Sequence, residues 1–264
     1  MPNIRQIISL REKYTPSIQK VSDSFDVALT KGYIERSELS KAFIFENFDT
    51  AKIRQFSVTK DKQTPEIIKY FEEKKKIVIT LLFIDITNFS IKTEKLSVES
   101  ISARLNDYYD KLIPIIYKHS GEIEKIMGDG IICIFGEPFF YNKDYKQKYY
   151  KAEACAREVI NKFKGTANEV KIALHSGQIM YYKTPSEHYE EYTMIGKPLT
   201  ELYRLESIAI SNGINYFKDS AYDKITDKLP LGVNINNPNY WEYGCEDICL
   251  KGVNYNMLRY LKRK

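Results

Sequence analysis

The stretch Ile77–Ser90, with the sequence IVITLLFIDITNFS, decides the fold. Its first part, Ile77–Ile84, is an almost unbroken run of Ile, Val, Leu and Phe, which predicts a buried β-strand. The strand ends on Asp85, a position where packing gives no reason for a carboxylate. The polar turn that follows lies at a predicted helix start, where backbone N–H groups can bind an anion.

A second aspartate stands in a similar position. The segments Glu122–Met127 and Ile131–Phe135 predict two strands, and Gly128-Asp129-Gly130 predicts the turn between them. Two carboxylates that meet at strand ends repel each other unless a cation lies between them, and a hard divalent ion such as magnesium meets that need. Asp85 and Asp129 therefore predict a metal site beside a phosphate-binding turn. The alternatives are a helix cap at Asp85 and ordinary hairpin chemistry at Asp129.

The composition favours a soluble, cytoplasmic protein. The chain has 264 residues, of which 43% are hydrophobic and 28% charged, enough for one globular domain with an appendage or for two small domains. Its net charge of +5 is a mild excess spread along the chain, so we expect no nucleic-acid partner. No segment approaches the ~20 apolar residues of a membrane span, so we expect no membrane partner. The cysteines lack the spacing of zinc ligands and are expected to be free thiols: Cys133, Cys155, Cys245 and Cys249.

The chain divides into two parts near residue 75. Residues 1–75 are more polar and are predicted to form a helical N-terminal extension. Apolar residues recur there at steps of three and four, as in a helix: Ile18, Val21, Phe25 and Leu29. At its end, Thr64-Pro65 resembles a helix cap followed by proline in the first turn, which predicts a helix over Glu66–Lys76.

Residues 76–264 are predicted to form one mixed α/β domain. Three further helices are predicted, over Val98–His119, Ala152–Phe163 and Thr200–Asn212. Beyond the hairpin, strands are predicted at Val170–Ser176 and Gly177–Tyr182, with one or two more in Ile248–Leu261. Helices interleaved with partly antiparallel strands indicate an α/β sandwich with the hairpin at its centre.

Five segments of this domain resemble, in order and with compatible gaps, the catalytic domain of class III nucleotidyl cyclases. They are Phe83–Ser90 (FIDITNFS), Gly121–Gly130 (GEIEKIMGDG), Val170–Gly177 (VKIALHSG), Tyr192–Glu206 (YTMIGKPLTELYRLE) and Leu250-Lys251-Gly252. The resemblance covers about residues 77–262 and implies the ferredoxin-like α+β sandwich of that family. It also implies metal-dependent conversion of a nucleoside triphosphate to a 3′,5′-cyclic nucleotide and pyrophosphate.

The resemblance assigns the metal and phosphate contacts to one group of residues. Asp85 and Asp129 would hold two divalent ions, Mg²⁺ or Mn²⁺, with the backbone carbonyl of Ile86 as a further ligand. The triphosphate would bind along the turn that follows, with Lys251 at its terminal oxygens. The substrate-binding residues of that turn are Thr87, Asn88, Phe89 and Ser90.

The same resemblance assigns the remaining contacts to the partner subunit of a homodimer. Active sites of the family form between two catalytic domains arranged head to tail, which implies two equivalent sites per dimer. Arg204 would stabilise the charge that develops on the α-phosphate, and Thr200 would orient the ribose. Lys125 and Thr193 occupy the positions that contact the base. Without the resemblance, Arg204 is one more charge on a helix and Lys125 one more lysine on an exposed strand face.

Several positions depart from the family pattern. Asn88 replaces the usual glycine of the phosphate turn, and Thr200 replaces an asparagine that commonly orients the ribose. Lys197-Pro198 replaces a frequent Asp-Ala or Asp-Thr pair, and Thr193 replaces the aspartate of many adenylyl cyclases. Because both metal aspartates and Arg204 remain, we expect an active enzyme rather than a degenerate homologue that only binds nucleotide.

The base-contact positions also differ from those of guanylyl cyclases, which typically carry Glu and Cys there. A lysine and a threonine suit an acceptor-rich base edge, which allows adenine or a pyrimidine. A compact cyclase with such residues resembles the pyrimidine cyclases of Pycsar antiphage systems, which make cyclic UMP or cyclic CMP for a separate effector. We therefore expect a pyrimidine cyclase of antiphage defence, with a bacterial adenylyl cyclase as the alternative.

Overall fold

The computed structural model describes residues 63–142, 144–183, 192–226 and 241–264. Its strands are β1 (Lys76–Ile86), β2 (Glu122–Met127), β3 (Gly130–Phe135), β4 (Val170–Lys183), β5 (Tyr192–Ile195), β6 (Gly213–Phe217), β7 (Trp241–Asp247) and β8 (Met257–Arg263). The helices within these residues are α1 (Gln63–Glu72), α2 (Phe89–Thr93), α3 (Val98–Lys118), α4 (Gln147–Phe163), α5 (Lys197–Ser207) and α6 (Ala221–Thr226). The helix predicted around positions 18–29 lies outside the described residues.

The described strands form one mixed sheet in the order β2-β3-β1-β4-β6-β8-β7, with β5 paired to the last part of β4. β1 lies inside this sheet, antiparallel to β3 on one side and to β4 on the other. The β2–β3 hairpin lies at one edge, so the prediction of a central hairpin was wrong. The sequence accounts for both positions, because β1 is apolar on both faces, whereas β2 (EIEKIM) alternates with charged residues as an edge strand can.

The side chains of β1 alternate between two hydrophobic cores. Leu82, Ile84 and Ile86 point towards α3 and α4. Leu81 and Phe83 point to the opposite face, where α1 and α5 cover them. Each such side chain contributes roughly 1.5–3 kcal/mol relative to leaving it in water. A helical layer on each face of the sheet confirms the predicted α/β sandwich.

β4 is one long strand, where two strands with a break before Gly177 were predicted. Gly177 lies opposite Ile79 of β1 in an unbroken register, so the ladder continues through it. A Cβ at Gly177 would lie 2.5 Å from Pro198 Cγ. This glycine therefore serves the close approach of α5 to the sheet and not a turn between two strands.

The ends of several elements differ from the predicted ones. α1 ends at Glu72, because the chain already enters β1 at Lys76. α5 starts before the predicted Thr200, since Pro198 fits the first turn of a helix. It ends well before Asn212, whose φ of 54° is not helical. α4 starts earlier than predicted. In the tail, β8 overlaps the predicted range and extends two residues beyond it, whereas β7 precedes that range.

No helix among the described residues is long and apolar enough to cross a membrane. α3, for example, buries an apolar stripe that includes Tyr108, Leu112 and Ile116 and exposes charged residues on its other face. This pattern is typical of a helix that lies on a globular core. The thiols are free, with Cys133 and Cys155 buried and the other two exposed.

Candidate active site

The two aspartates predicted to bind metal lie side by side at the end of β1. The pairing of β1 with β3 brings Asp85 next to the hairpin turn that carries Asp129. Gly130 permits this approach, since a Cβ there would lie 2.7 Å from the Phe83 ring and 3.3 Å from Asp85 Oδ1. The structure therefore brings together the two carboxylates that are more than forty residues apart in sequence.

The hairpin turn is also held from α3. Tyr109 donates a hydrogen bond from its hydroxyl to the backbone carbonyl of Gly128. Gly128 has a φ of 61°, a left-handed conformation that favours glycine. Burial, followed by the charge of Asp129, raises the pKa of Tyr109, so its hydroxyl stays protonated and continues to donate. The turn that carries Asp129 is thus held by β1, through the close approach of Gly130, and by α3, through Tyr109.

The carboxyl groups of Asp85 and Asp129 affect each other's ionisation. Burial, followed by the charge of Asp129, raises the pKa of Asp85 from 3.8 to about 7. Burial also raises the pKa of Asp129, although backbone amides, including that of Ile86, act in the opposite direction. The two carboxyl groups are close enough for each to affect the ionisation of the other. Such a pair shares a proton at neutral pH, and a divalent cation would take the place of that proton.

The donor set fits a hard divalent cation. Carboxylate oxygens such as those of Asp85 and Asp129 are ligands that Mg²⁺ and Mn²⁺ prefer. No group of three or more His, Cys, Asp and Glu side chains in the described part of the chain could hold a metal. Water and substrate phosphates would therefore complete the coordination, as is usual for Mg²⁺. The side chain of Ile86 is buried in the core, so only its backbone carbonyl could join the ligands.

The turn after Asp85 contains a residue in the left-handed conformation that glycine adopts readily. Asn88 adopts φ 56° and ψ 37°, in the left-handed region. Asparagine is enriched several-fold over most other non-glycine residues in that region. The replacement of the usual glycine at this position therefore leaves the shape of the turn intact.

The amides of this turn are not equivalent. Thr87 donates its backbone N–H to the carbonyl of Glu169 at 2.8 Å, and its hydroxyl lies 2.9 Å from that of Ser211. The Thr87 amide is therefore used within the protein, which differs from the prediction that it faces the triphosphate. Phe89 and Ser90 open α2, where backbone amides have no acceptor within the helix.

Lys171 lies beside Asp85 and was missed by sequence reasoning. Its Nζ is 3.5 Å from Asp85 Oδ2 and 2.6 Å from Glu206 Oε1. Burial lowers the pKa of Lys171, but the carboxylates of Glu206 and Asp85 raise it by more, so the ammonium stays charged. The available signal was a lysine inside the apolar run VKIAL, but only the β1–β4 register shows that it lies opposite Asp85.

The residues predicted to contact the base, the ribose and the phosphates lie elsewhere on the chain. Thr200 and Arg204 are one turn apart on α5, and both are exposed. Lys125 lies on β2, Thr193 lies on β5, and Lys251 is exposed after β7. Among the described residues, no hydrogen bond or ion pair joins any of these side chains to either metal aspartate. Within the described part of the chain, the predicted metal residues and the other predicted site residues therefore form two groups without a direct polar contact between them.

A cavity of about 430 Å³ lies away from the aspartates, at the start of α5. Its lining includes His175, Lys197 and Glu201. His175 is buried and its Nε2 lies 3.0 Å from Glu201 Oε2, which fixes α5 to β4. None of the predicted site residues lines this cavity. We therefore do not assign the catalytic centre to it.

The family model of the adenylate and guanylate cyclase catalytic domain matches residues 71–226. The chain belongs to this family. The solved guanylyl cyclase Cya2 is 25% identical to the cyclase chain, with a TM-score of 0.55 over 72% of this chain and 93% of that one. The adenylyl cyclase CyaB from P. aeruginosa is 20% identical, with a TM-score of 0.58 over 71% of this chain and 94% of that one, and shows the fold alone.

A relative of this cyclase chain is the terminal-differentiation-specific adenylate cyclase of Dictyostelium discoideum. It is 28% identical over 138 residues, which are 49% of this chain and 6% of the relative. The chain spans about a quarter or less of the length of the curated relatives it matches. Membership confirms the predicted family and fold. The roles of the individual site residues stay predictions, and Lys251 lies beyond the matched residues.

Proposed function

We propose that the chain is a nucleotidyl cyclase that converts a nucleoside triphosphate to a 3′,5′-cyclic nucleotide and pyrophosphate with two divalent cations, Mg²⁺ or Mn²⁺. The observation that carries this proposal is that Asp85 and Asp129, both partly buried, lie side by side at the end of β1. In the reaction, the ribose 3′-oxygen forms a bond to the α-phosphorus, the bond from that phosphorus to pyrophosphate breaks, and the 3′-hydroxyl proton is lost. The cations, when bound, acidify that hydroxyl and neutralise phosphate charge.

Lys171 supports the binding of a polyanion next to Asp85. Its ammonium is partly buried between the carboxylates of Asp85 and Glu206. A charged group that is partly withdrawn from water attracts a phosphate more strongly than an exposed lysine does. We therefore assign Lys171 to the phosphate contacts together with the turn amides of Phe89 and Ser90. Lys251 is exposed and remains assigned to the terminal phosphate.

The site is complete only in a homodimer. Asp85 and Asp129 lie at one end of the sheet, and no hydrogen bond or ion pair joins them to Arg204 or Thr200 of the same described chain. α5 nevertheless exposes Thr200 and Arg204, which a partner subunit could use. In the head-to-tail arrangement, Arg204, Thr200, Lys125 and Thr193 of one subunit would complete the metal site of the other. Two equivalent sites follow from the two-fold symmetry.

The favoured substrate is a pyrimidine nucleoside triphosphate. Lys125 and Thr193 both offer hydrogen-bond donors, which suit the carbonyl oxygens of uracil or cytosine. The product, cyclic UMP or cyclic CMP, would act on a separate effector in antiphage defence, as in the Pycsar systems, whose cyclases this chain resembles in its base-contact residues. The exposed free thiols of Cys245 and Cys249 fit a reducing cytoplasm.

Two alternatives rest on specific observations. The similarity to the Dictyostelium discoideum adenylate cyclase favours ATP as substrate and cyclic AMP as product. The threonine at position 200 favours a homologue that binds nucleotide without turnover, because a threonine hydroxyl replaces only part of an asparagine amide. The left-handed Asn88 opposes this second alternative, since it preserves the phosphate turn.

Product analysis tests the proposal and separates the alternatives. Purified chain is incubated with Mn²⁺ and, in parallel reactions, ATP, GTP, CTP and UTP, and products are identified by mass spectrometry. Cyclic UMP or cyclic CMP as the main product would support the proposal, and cyclic AMP would replace it with the adenylyl cyclase. No product from the wild type, or equal product from an Asp129→Asn variant, would overturn the assignment of a cyclase centre at Asp85 and Asp129.

A further inference from the structure

Tyr203 lies on the exposed stripe of α5 that also carries the predicted ribose and phosphate residues. It follows Thr200 by three positions, so these two side chains leave α5 on the same side, and Arg204 is its exposed neighbour in the sequence. Tyr203 is 38% exposed, whereas its neighbours Leu202 and Leu205 are fully buried in the core. The tyrosine is thus the large aromatic side chain that α5 presents next to its site residues.

The ring of Tyr203 packs on the face of the sheet that carries Lys125. It meets the ring of Phe83 edge-on, with centroids 5.6 Å apart and an interplanar angle of 87°. Its hydroxyl lies 3.8 Å from Met127 Sδ. Met127 follows Lys125 by two positions on β2, so both side chains lie on this face, together with Ile132 opposite Lys125.

The surroundings of Tyr203 show how close Lys125 lies. Burial raises the pKa of Tyr203, and the charge of Lys125 acts in the opposite direction, so the ammonium affects the phenol directly. The thioether of Met127 is a weak acceptor, and the phenol group is partly exposed, so it can also bond to a ligand. A molecule that contacts Lys125 from the exposed side would therefore also meet the side chain of Tyr203.

We propose that Tyr203 forms one wall of the base pocket and limits its size, so that a one-ring base fits better than a two-ring purine. This inference rests on the proposed function, in which Lys125 and Thr193 contact the base. Shortening the side chain to alanine would free the space of an aromatic ring beside Lys125. The freed space would admit the second ring of adenine or guanine. Phenylalanine would keep the wall and remove only the hydroxyl.

The test is the ratio of kcat/KM for purine to pyrimidine triphosphates in wild type, Tyr203→Ala and Tyr203→Phe. Because discrimination by pocket size is commonly worth about 10–200-fold, we expect Tyr203→Ala to raise this ratio by at least about tenfold. Tyr203→Phe should keep the wild-type ratio within about twofold. A ratio that Tyr203→Ala leaves unchanged, or that Tyr203→Phe raises as much as alanine does, would overturn the inference.

Two further measurements separate this inference from a packing role and from the proposed function. Calorimetry with Mn²⁺ measures the binding of non-hydrolysable analogues of the four triphosphates. The ratio of purine to pyrimidine affinity tests the role of Tyr203 without turnover, so the test works even if the wild type makes no product. Equal weakening of all four by Tyr203→Ala, together with a lowered Tm, would assign Tyr203 to packing and overturn the inference. Tyr141→Ala is the control, since Tyr141 is 71% exposed in the segment after β3 and should leave the ratio unchanged.

Discussion

Lys171 lies opposite Asp85 in the pairing of β4 with β1, and its ammonium joins the carboxylate of Asp85 to that of Glu206. The side chains of these three residues are about four-fifths buried, so the charges attract each other through a medium less polar than water. Removing the cation would leave the two carboxylates partly buried without their partner. This arrangement gives a prediction for stability.

Lys171→Met is expected to lower the free energy of unfolding by roughly 1–3 kcal/mol, since it leaves the partly buried Glu206 carboxylate without its ion pair. Lys171→Arg should retain most of the stability because it keeps the charge. Urea unfolding measures both. The matched control is Lys111→Met, which removes a surface pair with Asp107 and should cost less than about 0.5 kcal/mol. Equal losses for Lys171→Met and Lys111→Met would show that the Lys171 pair is no stronger than a surface pair.

The pH dependence of stability follows from the pKa of Asp85. Because this pKa is raised to about 7 in the folded state, the folded chain binds more protons than the unfolded chain between about pH 4 and pH 7. Stability without metal should therefore fall as the pH rises through that range. Asp129→Asn should flatten the fall, since it removes a charge that raises the Asp85 pKa. Urea unfolding in EDTA at pH 5, 6 and 7 measures this, and stability that rises with pH would contradict it.

Saturating Mn²⁺ should raise the free energy of unfolding at pH 7, because it binds the folded pair and replaces the shared proton. The same addition should leave Asp129→Asn almost unchanged. A Tm increase of equal size in both proteins would place the bound ion elsewhere on the chain.

The sequence was sufficient to predict that Asp85 and Asp129 lie together, and to predict most of the elements around them. An apolar strand that ends on Asp85 and a Gly-Asp-Gly turn are local patterns, and the structure brings them together as expected. The sequence could not predict that Lys171 lies beside Asp85, because this contact depends on the register between two strands that are separated by more than eighty residues. The packing role of Gly177 against Pro198 was hidden for the same reason, since the sequence alone resembled a strand end.

Mixing inactive variants tests whether two chains share each site. Asp129→Ala and Arg204→Ala should each lower kcat by at least about 10²-fold, because each removes charge stabilisation from both sites of its homodimer. In a random mixture, about half of the dimers are heterodimers with one complete site of two, so about a quarter of the wild-type activity should return. Native mass spectrometry counts the heterodimers. If the mixture contains heterodimers and stays inactive, Asp129 of one subunit and Arg204 of the other do not form a shared site.

Asn88 gives a test of whether the departures from the family pattern damage the site. Its φ of 56° and ψ of 37° are easy for glycine, tolerable for asparagine and strained for a β-branched residue. Asn88→Gly should therefore keep kcat/KM within about threefold of wild type, whereas Asn88→Val should cost roughly 1–3 kcal/mol of stability and weaken triphosphate binding. Thermal unfolding and calorimetric titration with a non-hydrolysable triphosphate measure the two effects. An increase in turnover of more than tenfold in Asn88→Gly would contradict this prediction. It would show that Asn88 itself lowers the activity, and it would support the alternative of a degenerate cyclase homologue.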